Sequence, residues 1–379
     1  MWAKFVHLLQ SCFIMNIDSV LISYPFLLGI FSFLVGLFMM PHVLQMAKKK
    51  ELIVKPNKRT AHEGGIPNIG GINIFSSFII SYLLFSVGEI DQNRVILAGM
   101  YFILLVGFLD DMIELSPLKK LFGELIAGFL LIVIADIRLT SLHGFLGFEY
   151  ISDIISYPLS FFVYLLVING LNLIDGVDGL ASGLGIMICM FFGIYFQLND
   201  MTDLSMMAYS FVGALLIFFI YNVFGNHSKI FMGDSGALVL GYTIYLFIVA
   251  FCELNAYNMG RVDAVLTMKS APVVVICVLA VPLIDTLRVM ITRIKKRQSP
   301  FMADKNHVHH LLLSTGLKHK EVTFILLAVN LFFIGLGLLL RNVQIEIALL
   351  IVIVCAITLI ITLWRIVDKY NNKKKESQA

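Results

Sequence analysis

Hydrophobic residues along this chain form long runs, and polar residues gather in short stretches between them. Apolar windows of about 17 to 20 residues recur along the whole chain, which is the length that an α-helix needs to cross a bilayer. They predict about eleven transmembrane helices, at 21–40, 69–87, 95–109, 121–135, 154–170, 180–198, 205–224, 236–252, 271–292, 321–340 and 345–364. The pattern predicts an all-α, polytopic integral membrane protein, with residues 1–379 as a single transmembrane domain.

Composition supports this class. Hydrophobic residues make up 59% of the 379 positions and charged residues only 14%, more apolar surface than a soluble protein could bury. The net charge of +3 gives no reason to expect a nucleic-acid partner. The five cysteines lack a C-x-x-C pair and are interpreted as small apolar residues.

Positive charge predicts the orientation in the membrane. The odd-numbered loops and the C-terminal tail hold 21 of the 28 Lys and Arg, and such residues are retained on the cytoplasmic side. The N-terminus is therefore expected outside and the C-terminus inside. Residues 1–20 are expected to form an interfacial segment, 293–320 a cytoplasmic loop and 365–379 a basic cytoplasmic tail.

Four polar clusters all fall on the predicted cytoplasmic face. They are Asp110 and Asp111 in "GFLDDMIEL"; Asn169, Asn172, Asp175 and Asp178 in "NGLNLIDGVDGL"; Asp234 in "KIFMGDSGALVLGY"; and His307, His309 and His310 in "ADKNHVHHLLL". The outer loops carry only scattered acidic residues without glycine-rich framing. One cytoplasm-facing pocket is the economical interpretation.

Three of the clusters also have a simpler interpretation. Asp110 and Asp111 could end a helix and face water, and Asp234 could cap the N-terminus of the eighth predicted span. The histidines form a weak zinc pattern because no fourth ligand lies nearby. Beside a basic run, they fit an anion-binding loop better.

In the cluster of Asn169, Asn172, Asp175 and Asp178, a polar side chain recurs every third residue. A regular α-helix would rotate each successive member by about 60° and spread the series around the helix. A 3₁₀ or unwound segment would align the four side chains, and the glycines between them make that conformation inexpensive. Non-helical backbone at membrane depth lines a polar cavity or is buried in protein, so this stretch is expected to form a cavity wall.

The clusters together indicate phosphoryl transfer. Carboxylate and amide oxygens suit Mg²⁺, which takes one or two protein ligands together with substrate phosphates, and imidazole and basic donors suit phosphate oxygens. Neither glycine-rich nucleotide signature is present. A cation-coupled transporter is the alternative from another class, because carriers also use broken helices with polar residues; the gathering on one face disfavours it.

Five motifs occur in order along nearly the whole chain: P-x-x-G-G at Pro67 to Gly71, DDxxE at Asp110 to Glu114, "NGLNLIDGVDGLA" at Asn169 to Ala181, "FMGDSGAL" at Phe231 to Leu238 and "SPFMADKNHVHHLL" at Ser299 to Leu312. The set resembles the polyprenyl-phosphate N-acetylhexosamine-1-phosphate transferases. The H-x-H-H form resembles the branch that transfers N-acetylglucosamine (GlcNAc) 1-phosphate to undecaprenyl phosphate.

The resemblance implies a magnesium-dependent enzyme of the bacterial inner membrane that joins UDP-GlcNAc to undecaprenyl phosphate and releases UMP. This would be the first membrane step of a surface glycan such as O-antigen or teichoic acid. Another UDP-N-acetylhexosamine or UDP-MurNAc-pentapeptide stays open as the donor, Mn²⁺ as the ion, and a homodimer as the assembly. The implied roles are catalytic for Asp110 and Asp111, metal-binding for Asn172 and Asp234, and substrate-binding for Asn169, Asp175, Asp178, His307, His309 and His310.

Overall fold

A computed structural model describes residues 24–50, 53–54, 65–86, 90–226, 228–259, 266–295 and 307–376. The expected interfacial segment at 1–20 lies outside the described residues, as do positions 299–306 of the histidine motif.

Helices dominate the described chain. They are α1 (Phe26–Lys49), α2 (Gly70–Phe85), α3 (Ile90–Ile113), α4 (Pro117–Phe129, continued by a π-helical turn Leu130–Ile134), α5 (Asp153–Ile174), α6 (Leu180–Leu198), α7 (Thr202–Phe224), α8 (Gly233–Asn258), α9 (Ala271–Val278), α10 (Ala280–Lys295), α11 (Val308–Ser314), α12 (His319–Leu340) and α13 (Ile345–Glu376). Two short antiparallel hairpins pair β1 (Ile53–Val54) with β2 (Ile66–Pro67), and β3 (Ser141–Phe145) with β4 (Phe148–Tyr150).

The all-α polytopic membrane fold is confirmed. Within the described residues, eight helices are long and apolar enough to cross a membrane: α1, α3, α5, α6, α7, α8, α12 and α13. Helices α9 and α10 would together make a ninth span, but the pair is bent by 81° at the break between them, and α2 is a shorter apolar helix. Each predicted window falls largely on helix, whereas the number eleven and the orientation stay predictions.

One compact unit comprises the described residues of Met1–Leu131 and Gly185–Val239. Its helices approach closely at glycines, as is usual where helices pack in a membrane. A Cβ on Gly213 of α7 would lie 1.9 Å from the carbonyl oxygen of Gly29 in α1, and one on Gly107 of α3 would lie 2.5 Å from the Cα of Ser235. The second contact brings the end of α3 against the beginning of α8.

The P-x-x-G-G motif has a structural explanation in the same unit. Phe231 donates its backbone N–H to the carbonyl of Pro67 (2.8 Å), while Gly70 donates to Phe231 (2.9 Å) and Gly71 to Met232 (2.8 Å). A Cβ on Gly71 would lie 2.2 Å from the backbone nitrogen of Gly236. Only glycine permits this approach, which fixes the segment that leads into α8.

The other compact unit comprises the described residues of Ile132–Leu184 and Leu240–Ala379. Its most irregular point is the break between α9 and α10. The buried side chain of Asn330 donates to the carbonyl of Val278 (3.1 Å) and accepts the N–H of Val281 (3.1 Å). One amide thus satisfies two backbone groups at the break. The prediction of a single domain stays a prediction.

The prediction of a non-helical segment was wrong for Asn169 and Asn172, because α5 continues as regular helix to Ile174. Asn169 donates to the carbonyl of Leu165 one turn earlier (3.0 Å), so its amide is satisfied within the helix. The prediction holds from Asp175 to Gly179, which forms a turn before α6, with Gly179 at φ +77°.

Candidate active site

The chain reverses direction immediately after α3. Glu114 adopts a left-handed conformation, with φ +48°, and its N–H bonds the carbonyl of Asp110 (3.0 Å). The next N–H, from Leu115, is accepted by Asp110 Oδ1 (2.6 Å). Helix α4 begins at Pro117, with proline in its favoured place in the first turn. This tight reversal returns Lys120 to the carboxylates at the end of α3.

Lys120 joins two of the predicted site residues. Its Nζ lies 2.8 Å from Asp110 Oδ2 and also pairs with Asp234 Oδ1. Burial alone would lower the pKa of Lys120, but the adjacent Asp234 and Asp110 carboxylates outweigh it and raise the pKa. The lysine is therefore a cation at neutral pH, held between two carboxylates. Asp234 is the more accessible of the two, at 29% side-chain exposure against 11% for Asp110.

Asp111 has a different role from its neighbour. Its Oδ1 accepts the backbone N–H of Asp234 (2.7 Å) and the side-chain amide of Asn68 (2.8 Å), and its Oδ2 accepts the N–H of Ser235 (3.0 Å). These backbone amides belong to the first turn of α8, where a carboxylate is favoured by the unpaired N–H groups and the helix dipole. Asp111 of another helix therefore caps α8, the role that the simpler interpretation gave to Asp234.

In the other unit, the turn after α5 is held by α12. Thr323 donates its hydroxyl to the carbonyl of Asp178 (2.7 Å), and His319 Nδ1 lies 3.5 Å from Asp178 Oδ2. On the same turn, a Cβ added to Gly176 would lie 3.0 Å from His309 Nε2. The turn carrying Asp175 and Asp178 is thus in contact with the histidine segment, residues 307–310.

The histidine segment is anchored by Asp285 of α10. Asp285 Oδ2 lies 2.8 Å from His307 Nδ1, and Oδ1 accepts the N–H of Val308 (2.7 Å). His309 stacks parallel to His307 with ring centroids 5.4 Å apart. Burial, assisted by the neighbouring histidines and opposed by Asp285, lowers the pKa of His309 to about 4. His309 would therefore meet a phosphate at pH 7 as a neutral hydrogen-bonding group.

The predicted site residues fall into two groups. Asp110, Asp111 and Asp234 come together in one unit; in the other, Asp178 and the histidines come together, with Asp175 on the same turn and Asn169 and Asn172 on the last turns of α5. The predicted metal ligands Asn172 and Asp234 belong to different units, so this pair stays a prediction.

The donors of the predicted metal site suit the ion. Asp234 offers a partly exposed carboxylate and Asn172 a half-buried amide. Magnesium prefers such hard oxygen donors and binds through few protein ligands, keeping other positions for water and phosphate. The residues that are present therefore fit Mg²⁺, and Mn²⁺ accepts the same donor types.

Sequence reasoning missed four residues of these clusters: Asn68, Lys120, Asp285 and His319. Asp285 carried a usable signal, because a carboxylate inside a predicted apolar span is costly and usually functional. Lys120 looked like an ordinary basic loop residue, since its partner Asp234 lies 114 positions away.

Comparison with known proteins places the chain in a family. The profile of glycosyl transferase family 4 matches residues 93–252. The undecaprenyl-phosphate alpha-N-acetylglucosaminyl 1-phosphate transferase of Pasteurella multocida (strain Pm70) is 31% identical over 297 residues, which cover 76% of this chain and 78% of that protein. The proteins of the same name from Yersinia pestis and Escherichia coli (strain K12) are 29% and 27% identical, over 81% and 78% of this chain and 82% and 78% of theirs. This chain therefore belongs to glycosyl transferase family 4.

Proposed function

We propose that this protein transfers GlcNAc 1-phosphate from UDP-GlcNAc to undecaprenyl phosphate, giving undecaprenyl-pyrophosphoryl-GlcNAc and UMP. The observation that carries the proposal is the cluster of Asp110, Lys120 and Asp234. All three lie in the stretch that the family profile matches. The names of the similar proteins, which match about four-fifths of their own length, support the choice of donor and acceptor.

The reaction needs charge neutralisation more than proton removal. In a single displacement, an oxygen of the lipid phosphate attacks the phosphorus that bears GlcNAc, and the bond from that phosphorus to the oxygen of UMP breaks. A double displacement, with one Asp of the pair as the first nucleophile, is the alternative. A phosphate monoester has a second pKa near 6, so the attacking group is already mostly a dianion at neutral pH. Positioning and electrostatic stabilisation should therefore supply most of the rate.

Asp234 and Asn172 would hold Mg²⁺, which when bound neutralises charge on the phosphate oxygens. The cation of Lys120 supplies further positive charge beside Asp110. Because both Asp111 oxygens bind donors at the start of α8, Asp111 orients the turn that carries Asp234. Of the adjacent pair, we therefore assign Asp110 to the reacting phosphates.

The protein would act in the bacterial inner membrane with its site on the cytoplasmic face, where nucleotide sugars are made. The excess of Lys and Arg in alternate loops supports this orientation. Its product would begin the assembly of a surface glycan such as O-antigen or teichoic acid.

The test uses purified protein, undecaprenyl phosphate, Mg²⁺ and a panel of UDP-sugars, with UMP and the lipid product measured. UDP-GlcNAc should give the fastest release of UMP, and omission of undecaprenyl phosphate should abolish it. Turnover with UDP-MurNAc-pentapeptide or another UDP-N-acetylhexosamine, but none with UDP-GlcNAc, would overturn the choice of donor. Release of many UMP molecules per enzyme without any lipid acceptor would overturn the reaction itself, whereas a single equivalent would indicate a covalent intermediate on one Asp of the pair.

A further inference from the structure

Asp285 is a buried carboxylate to which neither the motifs nor the reaction assigns a role. Only 3% of its surface is exposed, and it lies on α10, inside the predicted span 271–292. A charge in such a place is expensive unless it is fully hydrogen-bonded. Both of its oxygens are engaged, Oδ2 by His307 Nδ1 at 2.8 Å and Oδ1 by the N–H of Val308 at 2.7 Å.

This contact determines how His307 presents its ring. A carboxylate only accepts hydrogen bonds, so Nδ1 of His307 must carry the proton that it donates to Asp285. The other nitrogen, Nε2, is thereby fixed as an acceptor when the ring is neutral and as a second donor when it is protonated. An aspartate on an imidazole commonly selects tautomer and orientation in this way.

His309 connects the oriented ring of His307 to the turn after α5. His309 stacks on His307 with 5° between the ring planes, and its Nδ1 lies 4.0 Å from Asp285 Oδ2. The Nε2 of His309 faces Gly176, at 3.0 Å from the position of an added Cβ. Asp285 is therefore connected to the turn carrying Asp178 through successive contacts with His307 and His309.

We propose that Asp285 is a positioning residue that orients His307, and through it the H-x-H-H segment, for binding of the nucleotide sugar. The inference rests on the proposed function for the identity of that substrate. Asp285 itself touches the histidine, the backbone N–H of Val308 and, more distantly, the guanidinium of Arg288 at 3.9 Å. We assign its effect on the reaction to His307, because that is its close side-chain contact in the histidine motif.

The test is a double-mutant cycle of Asp285→Asn and His307→Phe. Asparagine keeps an oxygen for the N–H of Val308 but faces His307 with an amide donor, which reverses the tautomer. Phenylalanine keeps a ring for stacking on His309 and removes the Nδ1 bond. Each single change should raise the KM of the nucleotide sugar about tenfold, leave the KM of undecaprenyl phosphate unchanged, and cause no further loss in the double variant.

Asp203→Asn is the matched control. Asp203 accepts hydrogen bonds from Tyr82 (2.8 Å) and Asn93 (2.8 Å) in the other unit, so its replacement should lower thermal stability without changing either KM. Effects of Asp285→Asn and His307→Phe that multiply would overturn the proposal, and so would an equal rise in both KM values. If the wild-type protein prefers another UDP-sugar, the donor assignment fails, and the same cycle run with that sugar still decides the role of Asp285.

Discussion

Gly233 offers the sharpest test of how Asp111 and α8 are joined. This residue precedes Asp234 and has φ +72°, in the left-handed region. A Cβ at this position would lie 2.6 and 2.7 Å from the two oxygens of Asp111 and 2.9 Å from the carbonyl oxygen of Asn68. Gly233→Ala therefore strains the backbone and pushes directly on the capping carboxylate.

The two costs can be separated in size. An alanine in the left-handed conformation costs about 1 kcal/mol. Displacing the carboxylate weakens charge-assisted hydrogen bonds, each worth about 2 kcal/mol. Loss of one such bond makes the total about 3 kcal/mol, or about 100-fold in the ratio of correctly capped to displaced α8. We expect UMP release to fall by at most about this factor, because Asp234 directly follows Gly233.

Gly147→Ala is the matched control. Gly147 has a similar φ of +83°, yet no described atom lies within 4 Å of an added Cβ. It carries the strain without the collision. Both variants should show a lower thermal midpoint in detergent, but only Gly233→Ala should lose activity per folded molecule. Equal loss of activity in both variants, or full activity of Gly233→Ala, would refute the capping role of Asp111.

Three further changes test other parts of the structure. Asp234→Ala should reduce UMP release at least about 100-fold and abolish stabilisation by Mg²⁺ in thermal unfolding; an unchanged rate would remove Asp234 from the site. The pKa of His309 is lowered to about 4 by burial, so below about pH 6.5 the unfolded state takes up a proton that the folded state refuses. Stability should thus fall as the pH drops from about 6.5 towards 4, by at most about 3 kcal/mol, and His309→Gln should flatten this dependence; an identical pH profile in the variant would contradict it. Asn330→Leu should destabilise the fold by about 2 to 4 kcal/mol, because Val278 and Val281 lose their partner at the helix break; a thermal midpoint equal to that of wild type would show that the break is satisfied otherwise.

Hydrophobic windows located the helices because the bilayer imposes one length and one polarity on every span. Hydropathy alone could not reveal the bend between α9 and α10, since both halves are apolar and Asn330, which bonds the backbone at the break, is about 50 positions away along the chain. The local signal was Pro282, which has no N–H to give the carbonyl of Val278 four residues earlier. The period-three spacing likewise led to a wrong prediction for Asn172. Neither the asparagines nor Gly170 interrupts α5, which stays a regular helix to Ile174.

The motifs identified the polar residues but did not show which of them pairs with a lysine and which caps a helix. Asp110 and Asp111 are chemically identical in the sequence, and only their partners distinguish them: a lysine for Asp110 and the amides of α8 for Asp111. Those amides lie more than 120 positions away. Pairings at such separation leave no local pattern, so the sequence could indicate the cluster without indicating which carboxylate is structural.

The 81° bend between α9 and α10 has a consequence for the surrounding lipid. The two helices contain 8 and 16 residues, which if straight would reach about 36 Å. At this angle, their outer ends are only about 28 Å apart, slightly less than a hydrocarbon core of about 30 Å. If the pair crosses the bilayer, hydrophobic mismatch arises beside the helix that carries Asp285, and a thinner membrane at that place would relieve it. The activity of the protein would then depend on the acyl-chain length of the lipids around it.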